Sequence, residues 1–140
     1  MRLWSWQMLD VLPRKQLLGQ WRECCAIAKN ISEKGTPGHV LVNRIMDYPD
    51  EHFNRYAEMV NGEMLMRGYK SDMDKFISYR GLRWTPHTSN YPLFRDWHNE
   101  RYLRQCLYSL QEKHDCHAIP DDEWDKITQK YVGFKDKYPW

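Results

Sequence analysis

The sequence holds no run of apolar residues approaching the ~20 that a membrane-spanning helix needs. Met1-Arg2 is followed by no apolar stretch of secretory-signal type. A cytoplasmic protein is therefore expected. Cysteine is sparse, and the four present do not suggest a secreted disulfide framework: Cys24 and Cys25 are adjacent, while Cys106 and Cys116 stand alone. Net charge is also small, +2 at pH 7, so no argument for a nucleic-acid partner follows from the whole chain. What the chain has in quantity is aromatic surface. Seven Trp and nine Tyr among 140 residues are too many for a disordered polymer, and the length suits one domain, 1–140, with a modest core.

The distribution of charge is more informative than its sum. Residues 1–45 carry seven Lys/Arg against three Asp/Glu, and residues 46–79 carry four against seven. Residues 80–104 then carry five against two, and residues 105–140 five against seven. Two basic blocks separated by an acidic one can fold onto one face that tracks a phosphate backbone. The same pattern also suits an ordinary soluble surface.

The stretch Leu17-Leu18-Gly19-Gln20-Trp21-Arg22-Glu23-Cys24-Cys25 organises the reading. At helical spacing, Leu17, Leu18, Trp21, Cys24, Cys25 and Ala28 make an apolar stripe, and Glu23 points away from it. Its neighbours one turn away are Gly19, Ala26 and Ile27, none of them a cation for an i,i+3 or i,i+4 pair. Glu23 is then either a solvated surface acid or an acid with a task. Gly19 inside a helix costs roughly 1 kcal/mol relative to Ala, which makes sense if a backbone or a ligand comes close to that face.

The opening Met1-Arg2-Leu3-Trp4, then Leu12-Pro13-Arg14, Leu17-Leu18-Gly19, Arg22-Glu23-Cys24-Cys25 and Gly38-His39-Val40 resemble the pyrimidine-dimer DNA glycosylases, the endonuclease V-like glycosylases of phages and bacteria. The resemblance runs through Arg67-Gly68-Tyr69, about half the chain. It implies a small all-helical DNA repair enzyme that excises a base and then nicks the abasic site by β-elimination. The implied nucleophile is the α-amine of the first residue, here Met1. The implied carboxylate is the Glu of the Arg-Glu pair, here Glu23, with Arg2 and Arg22 as phosphate contacts. The best-known members expose a small residue such as Thr once the initiator Met is removed. Here the bulk of Arg2 keeps Met1 in place, so a tag left on the N-terminus should abolish the lyase step.

Elementary chemistry supports such a nucleophile. An α-amine has a reference pKa of roughly 8, well below a Lys side chain, so a useful fraction is neutral and nucleophilic near pH 7. It must be held in place, because a free terminus is normally mobile. Residues 1–12 read as an extended arm whose Leu3, Trp4, Trp6, Met8 and Leu9 can tie it down. Schiff-base chemistry of this kind needs no metal or organic cofactor. The expected partner is double-stranded DNA with a damaged or abasic site, bound by a monomer.

The expected architecture is all-α, with three main helices, a short C-terminal helix and the arm packed against them. The first helix runs from Arg14 to about Ile31 after Pro13, with Arg14 near the apolar stripe but free to reach outward as a DNA contact. His39, at the start of a short extended or buried piece, His39–Asn43, either contacts a phosphate or the carboxylate site, or is a structural histidine. A second helix opens at Asp47 to Pro49 and closes at Arg67-Gly68. The loop from Tyr79 to His87 mixes aromatics with Arg80 and Arg83, a composition that suits stacking and phosphate binding. A third helix from about Leu93 to Lys113 offers Arg101 or Arg104 to phosphate. His114, Cys116 and His117, with Cys106 upstream, lack the paired spacing of a structural zinc site. A short helix follows Asp121-Asp122-Glu123, and the tail Tyr131, Phe134, Tyr138 and Trp140 with Lys130, Lys135 and Lys137 is aromatic and basic; by analogy with the family's aromatic C-terminal segment it is expected near DNA. Two rivals of other classes stand beside the enzyme: a DNA- or RNA-binding protein of the same fold without the chemistry, and a helical interaction module without nucleic-acid affinity. Another modified base, or only an abasic site, would use the same two catalytic groups.

Overall fold

The computed structural model describes residues 1–86 and 91–133, and the regular structure among them is entirely helical. Helix α1 spans Arg14–Lys34, α2 Asp50–Met66, α3 Asp74–Arg80, α4 Glu100–Asp115 and α5 Asp121–Lys130. The local chemistry sets most of these limits. Pro13, Pro49 and Pro120 occupy the cap positions of α1, α2 and α5, where a missing N–H costs nothing and the extended backbone before the helix is preset. Asp50 and Glu51 in α2, and Asp121, Asp122 and Glu123 in α5, place negative charge at the positive end of the helix dipole. Helix α1 continues past Ile31 until Gly35, whose φ of 76° allows the left-handed turn that ends it, with its N–H bonded to the Ile31 carbonyl at 2.9 Å.

Four features differ from the sequence expectation. Helix α3, only seven residues long, is too short for its periodicity to register. Helix α4 starts at Glu100 rather than near Leu93, because Asn99 caps it by accepting the Tyr102 N–H at 3.0 Å. The preceding residues turn sharply instead, with Phe94 at φ 50°. The arm is not extended throughout: Trp6–Val11 closes into a 3₁₀ helix. Finally, His39–Asn43 is a turn, closed by the Val42 and Asn43 N–H groups bonding to the His39 carbonyl at 3.0 and 2.9 Å, with Val40 and Leu41 exposed and Val42 buried.

The arm nevertheless lies in the core. Leu3 and Met8 are fully buried and Trp4, Leu9 and Leu12 nearly so. Helix α1 packs on α2 and α3, while α2 and α5 both touch the 3₁₀ helix. Burying Leu3, Met8 and Leu12 contributes roughly 1.5 to 3 kcal/mol each, enough to hold the arm's apolar face down. Trp21, read from its spacing as core, is half-buried and stands 6.2 Å, ring to ring, from Phe76 of α3.

Arg80 serves the fold. Buried over the Phe53 ring, it donates through Nε to Asn54 Oδ1 at 2.7 Å and pairs with Asp50, so it is committed to the α2–α3 junction. Trp84 packs edge-on against Phe76. The His87 end of that loop and the tail from Phe134 to Trp140 lie outside the described residues.

Candidate active site

The first six residues are held by side chains from across the fold. Gln20 of α1 bridges the arm: its Oε1 accepts the Trp4 N–H at 2.7 Å and its Nε2 donates to the Arg2 carbonyl at 2.9 Å. The Tyr56 hydroxyl, from α2, donates to the Trp4 carbonyl at 2.6 Å and lies 3.0 Å from Gln20 Oε1. From α4, the Tyr102 hydroxyl donates to the Leu3 carbonyl. His98, just before α4, accepts the Trp6 N–H on Nδ1 at 3.2 Å. Gln20 and Tyr56 are essentially buried, so these bonds are shielded from water and are costly to leave unmade.

This clamp brings the start of the chain to Glu23. The Arg2 backbone N–H donates to Glu23 Oε2 at 3.3 Å. Standard bond lengths put the Met1 nitrogen within about 3.7 Å of the Arg2 nitrogen, and hence within about 7 Å of the carboxylate. Met1 itself is 39% exposed, so a large substrate can reach it. The Arg2 guanidinium lies over the Trp4 ring at 5.1 Å and donates to Cys106 Sγ at 3.8 Å, which turns the cation toward α4.

The surroundings favour neutral groups. Burial raises the Tyr56 hydroxyl and the Cys24 thiol well above their usual pKa values, with Cys24 and Glu23 adding to the shift of Tyr56, and Cys25 and Glu23 to that of Cys24. Burial likewise raises Tyr102 and Cys106, the latter partly offset by a hydrogen bond with the Ser5 backbone and by Arg2. Burial pulls His98 down to about 3, with Arg44 adding to the effect. Neutral His98 accepts on Nδ1, so its proton sits on the buried Nε2, which has no hydrogen-bond partner among the described residues.

The buried stripe of α1 differs from the sequence reading. It comprises Leu17, Gln20, Cys24, Cys25, Ile27, Ala28 and Ile31, while Leu18 and Trp21 are half-buried. The face is rotated toward Gln20 because that amide serves the arm backbone, and Glu23 therefore sits at the edge of the core and not opposite it. Apart from its chain neighbours and the backbone of α1 itself, no atom of the described residues lies within 4 Å of where a Cβ on Gly19 would be. The fold itself makes no use of the missing side chain, and the space one turn before Glu23 is open.

The other residues expected at the site are spread around it. Arg22, exposed beside Glu23, lines a groove of about 320 Å³ with Lys29, Lys75 and Tyr79. Arg101 is exposed one residue from Tyr102 and shares a second groove of about 320 Å³ with Arg44, Trp97 and Asn99; Arg104 is half-buried on the same helix. Arg14 lies nine positions before Glu23, about 13 Å along the helix. It stacks over Tyr69 at 5.7 Å, its backbone N–H bonded to Glu123, in a pocket that includes Glu63 and Asp122. His39 organises its own turn, its Nδ1 accepting the Leu41 N–H at 3.3 Å. The Arg2 backbone thus brings Met1 near Glu23, while the Arg2 side chain turns toward α4, that of Arg22 lies in the groove with Lys29 and Lys75, and Arg14 and His39 stand apart. No group of three His, Cys, Asp or Glu side chains among the described residues is arranged to hold a metal ion; His114 instead pairs with Asp121 at 2.9 Å and stacks on Trp124.

The family model for pyrimidine dimer DNA glycosylases matches residues 1–77, the part that contains Met1, Glu23, Gln20 and Tyr56. The chain belongs to that family. Membership makes it a DNA glycosylase of DNA repair. No curated protein and no solved structure matches the chain. No helix among the described residues is long and apolar enough to cross a membrane.

Gln20, Tyr56, His98 and Tyr102 are the residues sequence reasoning missed. Only Gln20 left a signal: a polar side chain three positions after Leu17 and four before Cys24 sits on a buried stripe, where an amide must find partners.

Proposed function

We propose that this protein excises a damaged pyrimidine, by family membership a pyrimidine dimer, through an imine formed by the Met1 α-amine, and then cleaves the abasic strand. The observation that carries this reading is the 3.3 Å bond from the Arg2 N–H to the Glu23 carboxylate, which ties the chain terminus to the one acid in the middle of α1. The amine nitrogen bonds to C1′ of the sugar as the C1′–base bond breaks, and the base leaves with that electron pair and takes up a proton. The nitrogen loses a proton, the C1′–O4′ bond opens, and O4′ is protonated, leaving a C1′=N imine. The imine acidifies the C2′ hydrogen. Its removal expels the 3′ phosphate with the C3′–O electron pair, and water later hydrolyses the imine and frees the amine.

In this scheme Glu23 orients the amine, stabilises positive charge on the sugar, and carries the protons of ring opening and elimination. No step calls on a metal or an organic cofactor. Arg2 and Arg22 are the nearest phosphate ligands, with Arg101 and Arg104 of α4 extending the contact. The target nucleotide leaves the stack at a cost of a few kcal/mol, least where the base is already damaged. The open space beside Gly19 lets a sugar-phosphate backbone approach the carboxylate closely.

Borohydride trapping tests the reading. Protein with a free, unextended Met1 should form a covalent adduct with abasic duplex DNA. Glu23→Gln should slow strand cleavage by about 100-fold or more, in line with loss of a general acid–base group. Absence of the adduct in the parent protein would remove the imine mechanism, and parental cleavage rates in Glu23→Gln would remove the role of that acid.

A further inference from the structure

Three side chains hold the carbonyls nearest the terminus, and they act from two sides. Gln20 and Tyr56 take the Arg2 and Trp4 carbonyls at 2.9 and 2.6 Å. The Leu3 carbonyl between them goes to the hydroxyl of Tyr102. The partners alternate along the chain, Arg2 and Trp4 bonding to α1 and α2 and the Leu3 carbonyl between them to α4, as in an extended run whose successive carbonyls face opposite ways; α1 and α2 thus grip one edge of the arm and α4 the other. The buried Leu3 and Trp4 side chains hold the apolar face down, and a grip on both edges removes the remaining tilt about the segment's own length, which would swing the Met1 nitrogen relative to Glu23. The Tyr102 ring is itself fixed between Trp97 at 5.8 Å and His98 at 4.9 Å.

Tyr102 lies outside the residues that match the family, 1–77. From this placement we infer that Tyr102 is a positioning residue for the Met1 amine, by which the second half of the chain sets the geometry of chemistry carried in the first half. The inference rests on the Met1 mechanism proposed above. It requires that Tyr102 act through the arm backbone without touching substrate.

A matched pair of variants tests it. The Tyr131 hydroxyl makes the same kind of bond to the arm, donating to the Gln7 carbonyl at 3.2 Å, but five residues beyond Arg2. Tyr102→Phe and Tyr131→Phe therefore each remove a phenol–carbonyl bond from the same segment, and each also takes the hydroxyl from a neighbouring cation, Arg2 for Tyr102 and Lys130 for Tyr131. Single-turnover borohydride trapping is measured at saturating abasic duplex, beside the Kd for that duplex and the thermal midpoint of each protein. Tyr102→Phe is expected to trap roughly 10- to 100-fold more slowly, the scale of a small misplacement of a reacting group, with Kd within about twofold of the parent and Tyr131→Phe near parental rates. Equal slowing in both variants, a Kd that rises in step with the loss of rate, or no slowing in Tyr102→Phe would overturn the assignment. A parent protein that fails to trap at all would instead overturn the imine mechanism, so the two failures are distinguishable.

Discussion

The two ends of the N-terminal arm are fastened by different physics. Residues 2–6 are held by Gln20, Tyr56, Tyr102 and His98, through hydrogen bonds that are buried at Trp4 and half-buried at Arg2, Leu3 and Trp6. At residues 7–10 Met8 and Leu9 stay in the core, but the polar fastening is at the surface: Lys130 pairs with Asp10 and donates to the Gln7 carbonyl at 2.7 Å, and Arg67 donates to the carbonyls of Leu9 and Asp10 at 3.1 and 3.2 Å. Exposed cations bind loosely, are screened by salt and tolerate several geometries. Buried amide and phenol groups must be satisfied in one arrangement. The strict attachment lies at the end that carries Met1, where the proposed imine chemistry demands exact placement, and the tolerant one at the end that only closes the arm.

That contrast fails if the buried end proves as tolerant as the exposed one. The largest effect is expected from Gln20→Ala, which strands the Trp4 N–H and the Arg2 carbonyl together. A loss of about 2 to 4 kcal/mol in denaturant unfolding is predicted, with trapping of abasic DNA lost as well.

Acid should weaken the same end selectively. His98 is held near pKa 3 in the fold against 6.5 in the unfolded chain, so between those values the unfolded state binds the extra proton. The stability this provides is complete above pH 6.5 and is lost as pH falls toward 3, by up to about 1.4 kcal/mol per pH unit. His98→Asn, which keeps an acceptor for the Trp6 N–H, should show a shallower fall of thermal midpoint between pH 6.5 and 4.

The smallest effect belongs to the exposed end. Lys130→Ala should cost under about 1 kcal/mol, and the difference from the parent should shrink further in 0.5 M salt. A Lys130→Ala loss as large as that of Gln20→Ala would erase the distinction between the ends.

The sequence made part of this arrangement visible. Glu23 stood out because no cation lies one turn away, and the proline and acidic caps announced α1, α2 and α5. Its partner was invisible, because the group that reaches Glu23 is a backbone N–H of Arg2, which carries no residue-type signature. Tyr102 and His98 were hidden for a related reason: they bond to main-chain atoms almost a hundred positions away, and aromatics in an amphipathic helix read as packing. The early start expected for α4 failed because Leu93, Phe94 and Trp97 are apolar at helical spacing, yet all three are buried in a turn around Phe94. Helix propensity gave way to tertiary packing there.

The clamp also imposes an order on biogenesis. The first six residues leave the ribosome well before His98 and Tyr102 have been translated, and one side of their binding slot does not exist until α4 has been made. Residues 2–6 therefore cannot reach their final seating until α4 has been made, and a chain halted before Tyr102 holds them on one side only.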